Sequence, residues 1–224
     1  YMTEIDTRIS IVWKRQDGDW KAVHIHQSTP DDRLAGLAAF NAEVARNTYN
    51  KINDVIKKEA RTDSMTRINN MEGFVEQAQY IFKCYPDQKF AVIKFGIRDF
   101  RFINRTYGFS TGDRLLKTIA RNLEEACGRR EVCGRIEKDI FSILLVYEGE
   151  NSMRRRMEEI RRELTKDGWI KEIELEVWLN AGIYIPTDTR SETVKGMLDK
   201  ALLAMQSIQK YVKEDRYAYY SEWM

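Results

Sequence analysis

Two polar residues, Asn104 and Asp113, stand in the segment FRFINRTYGFSTGDRLL, which covers residues 100–116. A Tyr-Gly turn separates them, and helical patterns flank that turn. An amide offers a donor and an acceptor, and a carboxylate accepts from two N–H groups, so the pair suits the hydrogen-bonding edge of guanine. A purely structural alternative stays open, in which Asn104 ends one helix and Asp113 meets the positive dipole end of the next helix.

The segment resembles the guanine-binding part of the GGDEF domain, the fold of diguanylate cyclases, whose usual form is DxDxFKxINDxxGHxxGDxxL. Residues 63–70 similarly follow the family opening DxLTGLxNR, with Arg67 in place of the glycine and Met71 in place of the final arginine. The resemblance implies an α/β (α+β) fold, similar to nucleotidyl cyclases, with a central sheet flanked by helices. The other matching positions are Phe100, Ile103, Gly108, Gly112, Leu116, Arg135, Phe141, Asn180-Ala181-Gly182 and Leu198-Asp199-Lys200-Ala201-Leu202.

In the family, two divalent ions held by carboxylates neutralise charge while two GTP molecules are joined into cyclic di-GMP. The first carboxylates come from the DxD at a strand end, where this chain has Gly96-Ile97-Arg98. Gly96 has no ligating atom, and Arg98 brings a fixed positive charge to the place of a cation. We therefore expect no metal and no cofactor, with Mg²⁺ required only if the chain is an active cyclase.

The signature hairpin departs from the family in the same direction. Where the family reads RYGGDEF, residues 135–141 read RIEKDIF. Glycine permits positive φ and a close approach to phosphate, and the replacements Glu137 and Lys138 do neither easily. Asp139 keeps an acid at the third position, whereas Ile140 replaces the fourth. These positions are therefore predicted to be catalytically degenerate.

Phosphate contacts implied by the resemblance are also altered. Arg101 stands at the lysine of the family's FK pair and joins Asn104 and Asp113 as a nucleotide-binding residue, whereas Gln206 replaces the lysine of a late AK pair. The product-inhibition motif RxxD is replaced by residues 128–131, which read GRRE. We expect weak GTP or GDP binding at most and no high-affinity cyclic di-GMP site.

Three segments are predicted along the chain. Residues 1–28 hold two strand-like runs joined by Asp17-Gly18, a hairpin signal, and resemble the last hairpin of a truncated SnoaL-like sensor domain. Residues 29–62 form a connector helix that begins with Thr29 and Pro30. Residues 63–224 form the degenerate GGDEF domain, in which helical and strand patterns alternate. Its predicted elements include a helix that begins near residue 111, a hairpin turn around Glu137-Lys138 and one strand over residues 174–185. Such a connector helix could dock on its own domain or pair with a second copy, and its near-heptad spacing favours a homodimer. The spaced apolar positions are Leu34, Leu37, Val44, Ile52 and Val55, interrupted by Asn41 and Thr48.

The composition sets broad limits on partners and location. Lysines and arginines number 37 and acids 35, and the resulting net charge of +2 gives no reason to expect nucleic acid binding. No apolar run approaches the roughly 18 residues of a membrane span. Cys84, Cys127 and Cys133 form no CxxC pair, which argues against a disulfide scaffold and favours the cytoplasm.

Three functions follow from these observations. The favoured one is a regulatory and dimerisation module that passes a signal to a downstream EAL phosphodiesterase domain in the full-length protein. The second is an active diguanylate cyclase with substitute metal ligands such as Asp99 and Asp139. The third is a GTP-sensing module that regulates the EAL domain.

Overall fold

The structure is a computed structural model that describes residues 8–28, 32–208 and 216–220, with only the backbone for residues 32–40. Contacts divide the chain into two compact units, and the division falls between Ile56 and Lys57. The predicted helix start at Thr29 and Pro30 lies outside the described residues.

The first unit holds an antiparallel hairpin of β1 (Arg8–Gln16) and β2 (Asp19–Ser28). The two turn residues, Asp17 and Gly18, have φ values of 55° and 92°, as a type I′ turn requires. The hairpin predicted through Asp-Gly is therefore confirmed. All residues of both strands are exposed within this unit.

Helix α1 (Asp32–Ala60) contains 29 residues, which at 1.5 Å per residue makes it about 44 Å long. The predicted long helix is confirmed. Three of its spaced apolar residues are about half exposed: Val44 (47%), Ile52 (52%) and Val55 (61%). This apolar surface has no covering element among the described residues of its unit.

The second unit is built on a five-stranded sheet in the order β4-β5-β3-β6-β7. Neighbouring strands are antiparallel except for the parallel pair β6 and β7. The strands are β3 (Phe90–Ile97), β4 (Val132–Glu137), β5 (Ile140–Val146), β6 (Leu179–Tyr184) and β7 (Arg216–Tyr219). The helices are α2 (Met71–Cys84), α3 (Phe100–Tyr107), α4 (Phe109–Ala126), α5 (Glu150–Leu164), α6 (Gly168–Glu172) and α7 (Val194–Gln206).

Both faces of the sheet are covered, and the predicted sheet flanked by helices is thereby confirmed. The central strand β3 is buried along its whole length. Because side chains alternate along a strand, Ile93 and Phe95 pack into one apolar cluster with α4 and α5, whereas Phe90 and Val92 pack into a second cluster with α2 and α7. Lys94 and Gly96 therefore belong to the α7 face.

Helix α7 approaches the sheet closely because β6 carries Gly182. A Cβ atom at this glycine would collide with the carbonyl oxygen of Ala201 and the amide of Met205. At the start of the helix, the Thr193 side chain accepts a hydrogen bond of 3.1 Å from the amide of Gly196. The glycine and the cap together hold α7 over the end of β3.

Two sequence-based boundaries need correction. Residues 174–185 were expected to form one strand, but β6 covers only Leu179–Tyr184 and is preceded by the unpredicted short helix α6. The helix predicted to begin near residue 111 begins at Phe109 instead. As a result Asp113 lies beyond the first turn, which contains no acidic residue.

Candidate functional site

The site lies where β3 ends, under α7 and beside the β4–β5 turn. Gly96 is buried there, and a Cβ atom built on it would lie 3.7 Å from Cγ1 of Ile140 and 3.9 Å from Sδ of Met205. These are ordinary van der Waals distances, so the packing leaves room for a Cβ atom. A Cβ atom at this position is therefore not excluded by steric crowding.

Arg98 follows on the same face of the strand. Its Nη2 donates a hydrogen bond of 2.6 Å to Oδ1 of Asn180, and its backbone amide donates one of 2.8 Å to the carbonyl oxygen of Trp178. Its Nε and Nη1 atoms are buried, and neither has a hydrogen-bond partner within the described part of the chain. A guanidinium stays protonated at all accessible pH values. The end of β3 therefore carries a permanent positive charge.

Lys94, two residues before Gly96, is a component that sequence reasoning missed. It is 3% exposed and is paired across the sheet with Ser142 and Gly182. Burial lowers the pKa of Lys94, and the negative charges of Glu137 and Asp199 offset part of that effect. The available signal was a single lysine inside the apolar run FAVIKFGI.

The β4–β5 hairpin turns through Lys138 and Asp139, one residue later than expected, and Glu137 belongs to β4. Lys138 has a φ of 45°, in the left-handed region, so the expectation that it would avoid positive φ is wrong. Nε of Arg135 donates a hydrogen bond of 2.7 Å to the Lys138 carbonyl, which helps to hold this conformation. A side chain consequently occupies the position where the family's second glycine leaves open space.

Asp139 is the one acid of the signature that remains, and it is partly buried. Burial raises the pKa of Asp139 above its usual value. The hydrogen bond from its own backbone and the positive charges of Lys138, Arg135 and Arg101 lower the pKa, but by less than burial raises it. Arg101 itself is exposed in the first turn of α3. The charge of Arg101 thus acts on Asp139 in the hairpin, and its role as a nucleotide-binding residue stays a prediction.

Arg135 links the hairpin to the opening motif of the domain. Its Nη1 lies 3.1 Å from Oδ1 of Asp63, which also accepts hydrogen bonds from the amide (2.8 Å) and the hydroxyl (2.7 Å) of Thr66. Burial alone would raise the pKa of Asp63, but these hydrogen bonds and the Arg135 charge bring it below its usual value. Asp63 and Arg135 therefore form a structural clamp on the hairpin.

The guanine-reading candidates lie at the junction of α3 and α4. Oδ1 of Asn104 is buried and has no hydrogen-bond partner among the described residues. It packs against Gly112, where any Cβ atom would collide with it. Asp113 is exposed, and because it lies beyond the first turn of α4, the helix-dipole explanation proposed from the sequence is wrong. An unpaired acceptor and an exposed carboxylate thus flank this junction.

The remaining sequence candidates have other surroundings. Gln206 is exposed at the last position of α7. Nη1 of Arg130 donates a hydrogen bond of 3.1 Å to Oε1 of Gln88, and Oε2 of Glu131 pairs with Arg156 at 2.8 Å. In residues 8–28, 32–208 and 216–220, no three His, Cys, Asp or Glu side chains gather as metal ligands.

Membrane helices are likewise missing from the described residues, because no helix there combines the length and the hydropathy that crossing a bilayer requires.

A family model and several known proteins resemble this chain in sequence. The family model described as "Diguanylate cyclase, GGDEF domain" matches residues 60–214. Among curated relatives, the biofilm architecture maintenance protein MbaA of Vibrio cholerae is 28% identical over 134 residues, or 55% of this chain. The cyclic di-GMP phosphodiesterase PdeB of Shewanella oneidensis is 29% identical over 97 residues, or 40% of this chain. The matched segments span only 16% and 10% of the length of those two proteins.

Solved structures show the same fold at low sequence identity. The coiled coil and GGDEF domain of DgcB from Caulobacter crescentus, in complex with c-di-GMP, has a TM-score of 0.66 at 18% identity. That match covers 84% of this chain and all of the DgcB chain. The S helix-GGDEF-EAL structure of LapD from Vibrio cholerae has a TM-score of 0.56 at 15% identity, covering 77% of this chain and 40% of LapD.

Proposed function

This chain belongs to the GGDEF domain family, and from that premise we propose that it is a regulatory, dimer-forming module of cyclic di-GMP signalling that does not itself make the dinucleotide. The main support is the end of β3, where Gly96 has no side chain that could bind a metal ion and Arg98 adds a buried positive charge. Phosphodiester formation from two GTP molecules relies on divalent ions to neutralise developing charge. The name of the relative PdeB, a cyclic di-GMP phosphodiesterase, supports the signalling context.

The decisive experiment incubates the chain with GTP and either Mg²⁺ or Mn²⁺ and quantifies cyclic di-GMP by chromatography. We expect no product above the enzyme-free blank. Appreciable product would support an active cyclase with substitute ligands, and Asp99→Asn and Asp139→Asn would then show which carboxylate is required.

The expected output lies outside this chain. LapD carries an EAL domain after its GGDEF domain, and we propose that a downstream EAL phosphodiesterase is regulated here in the same arrangement, in the cytoplasm. The long helix α1 would carry the signal to it. Phosphodiesterase activity of the full-length protein, with and without α1 variants, tests this arrangement.

Dimerisation through α1 is proposed from its exposed apolar residues. A parallel pair of such helices would bury Val44, Ile52 and Val55 at a shared seam. Sedimentation equilibrium should give a dimer for the wild-type chain and a weaker one for Ile52→Asp. Asn50→Asp, which makes the same change of charge at an exposed position on the opposite side of the helix, is the matched control and should dimerise more strongly than Ile52→Asp.

A second function, guanine nucleotide sensing without a metal, is favoured by the unpaired Oδ1 of Asn104 beside the exposed Asp113. Guanine carries two N–H groups on one edge, and a carbonyl and a carboxylate oxygen would accept from them. A thermal-shift titration with GTP in EDTA should raise the melting temperature. Asn104→Ala should abolish the shift, and Asn151→Ala, an exposed control on α5, should keep it.

A further inference from the structure

Two of the three cysteines, Cys127 and Cys133, meet at the junction between α4 and β4. Cys127 directly follows the last residue of α4, and Cys133 is the second residue of β4. Cys133 belongs to the buried apolar cluster that α4 and α5 form with the sheet, and the partly buried Cys127 packs against the same cluster. A side-chain hydrogen bond joins the two thiols. This thiol pair takes no part in the site at the end of β3.

The connection between the two cysteines is a short turn that is fixed on both sides. The amide of Glu131 donates a hydrogen bond of 3.1 Å to the carbonyl of Gly128, and the amide of Gly128 donates one of 2.7 Å to the Glu131 carboxylate. The amide of Cys127 is bonded to carbonyl groups in the last turn of α4. Nδ2 of Asn69 donates a hydrogen bond of 2.8 Å to the carbonyl of Cys133. The backbone therefore holds the two side chains close to each other.

The two thiols differ in their exposure to solvent. Cys133 is only 4% exposed, whereas Cys127 reaches the surface of the domain. The hydrogen bond to Cys127 and burial together raise the pKa of the Cys133 thiol far above its ordinary value. Oxidants react with accessible thiols, and buried, protonated thiols react slowly. Cys127 is therefore the sulfur that a dissolved oxidant meets first, and Cys133 is the second sulfur held beside it.

We propose that Cys127 and Cys133 form a reversible oxidant-sensing site, in which hydrogen peroxide converts the two thiols into a disulfide. The Cys127 sulfur attacks one oxygen of the peroxide, the O–O bond breaks, and one water molecule leaves while Cys127 becomes a sulfenic acid. The Cys133 sulfur then attacks the Cys127 sulfur and the S–O bond breaks, so that the hydroxyl group leaves with the proton of Cys133 as a second water molecule. Two thiols and one peroxide thus give one disulfide and two water molecules.

The disulfide would join the end of α4 to the strand that leads into the β4–β5 hairpin. Cys133 lies two residues before Arg135, which bonds to the Lys138 carbonyl and pairs with Asp63. Oxidation therefore restrains the strand that carries this clamp. Disulfides in reducing compartments are usually of such a transient, redox-sensing kind. Neither step uses GTP or a metal ion, so the site is independent of the function proposed above.

Peptide mapping after peroxide treatment tests the site. The whole chain is reduced, freed of reductant, treated with hydrogen peroxide and denatured in N-ethylmaleimide, which caps the remaining thiols. Trypsin cuts after Arg129 and Arg130, between the two cysteines, so the disulfide joins the separate peptides 122–129 and 131–135. We expect this linked pair as the main oxidation product and its loss on treatment with dithiothreitol. Oxidised Cys127 without a link to Cys133, or linked to Cys84 instead, would overturn the proposal.

Variants separate the roles of the two thiols. In Cys133→Ala the sulfenic acid of Cys127 has no partner, so dimedone should trap it severalfold more than in the wild type. Equal trapping in the two proteins would refute the role of Cys133. Cys84→Ser removes the exposed third thiol and is the matched control, which should form the linked pair as the wild type does. If Cys133→Ala does not fold, the peptide map of Cys84→Ser decides, because this variant contains only the two proposed cysteines.

Discussion

Replacing Arg98 by methionine should stabilise the protein, even though it removes a hydrogen bond. The bond from Nη2 to Asn180 is charge-assisted and contributes about 1.5–3 kcal/mol. This gain is opposed by two buried donors, Nε and Nη1, which have no hydrogen-bond partner among the described residues. Each of them costs about 1–3 kcal/mol of folding stability while it is unpaired. Removing the arginine also leaves the Asn180 oxygen unpaired, which costs about 1 kcal/mol. The balance favours Arg98→Met by about 1 kcal/mol.

Urea denaturation followed by circular dichroism measures this difference, provided that the variant keeps the same m-value. A gain of about 1 kcal/mol corresponds to a rise in melting temperature of roughly 3 °C for a domain of this size. Arg154→Met is the matched control, because its side chain is 57% exposed and its ion pair with Glu150 spans 3.9 Å. The control should stay within about 0.5 kcal/mol of the wild type.

A loss of 1 kcal/mol or more in Arg98→Met would refute the reasoning. It would mean that Nε and Nη1 are satisfied in solution, by water or by an anion, and that the guanidinium is a net stabilising group. The double variant Arg98→Met/Asn180→Leu separates the two contributions, because it also removes the amide left without a donor. It should be at least as stable as Arg98→Met alone.

Four further predictions concern the sheet face covered by α7 and the clamp formed by Asp63 and Arg135. Gly182→Ala should destabilise the protein by about 3 kcal/mol or more in urea, because its Cβ would collide with α7, whereas Gly96→Ala should change stability by less than about 1 kcal/mol. Lys94→Met should be more stable than the wild type at pH 7, because the lowered pKa of Lys94 means that its protonated form costs stability in the folded state. That gain should shrink as the pH approaches 10, where the lysine of the wild type loses its proton. The pKa of Asp63 is lowered on folding, so Asp63→Asn should lose stability at pH 7 and converge towards the wild type as the pH falls below about 4. Gly96→Asp alone should bind Mn²⁺ too weakly to detect by electron paramagnetic resonance, and binding should become measurable only when Lys94→Leu and Arg98→Asp are added.

The sequence was most informative where a residue's role depends on local chemistry. The Asp17-Gly18 turn and the alternation of helices and strands follow from backbone preferences and hydrophobic period, and both were correctly predicted. The likeness around Asn104 and Asp113 located the junction of α3 and α4. Helix boundaries were less accurate, because the start of α4 at Phe109 is set by Gly108, which has a φ of 88° and ends α3 as well.

What the sequence could not supply is the relation between distant residues. Lys94 was marked in the sequence only as a lysine inside an apolar run, and the sheet register was needed to place it beside Ser142, with the charges of Glu137 and Asp199 acting on it. The hydrogen bond from Arg98 to Asn180 joins residues that are 82 positions apart. Such pairings depend on tertiary packing, which has no local sequence signal.

The arrangement of charges along β3 explains why a single reverse substitution would not restore metal binding. Lys94 lies two residues before Gly96 on β3, and Arg98 lies two residues after it, directly beyond the end of the strand. Residues two apart in extended backbone are separated by about 7 Å. At that distance and an effective dielectric of 20, each positive charge repels a divalent ion by roughly 5 kcal/mol, so the pair opposes it by about 10 kcal/mol. A carboxylate at about 4 Å attracts the ion by roughly 8 kcal/mol on the same scale. One acid at Gly96 is therefore outweighed, and the two flanking cations, more than the missing ligand, decide the character of the site.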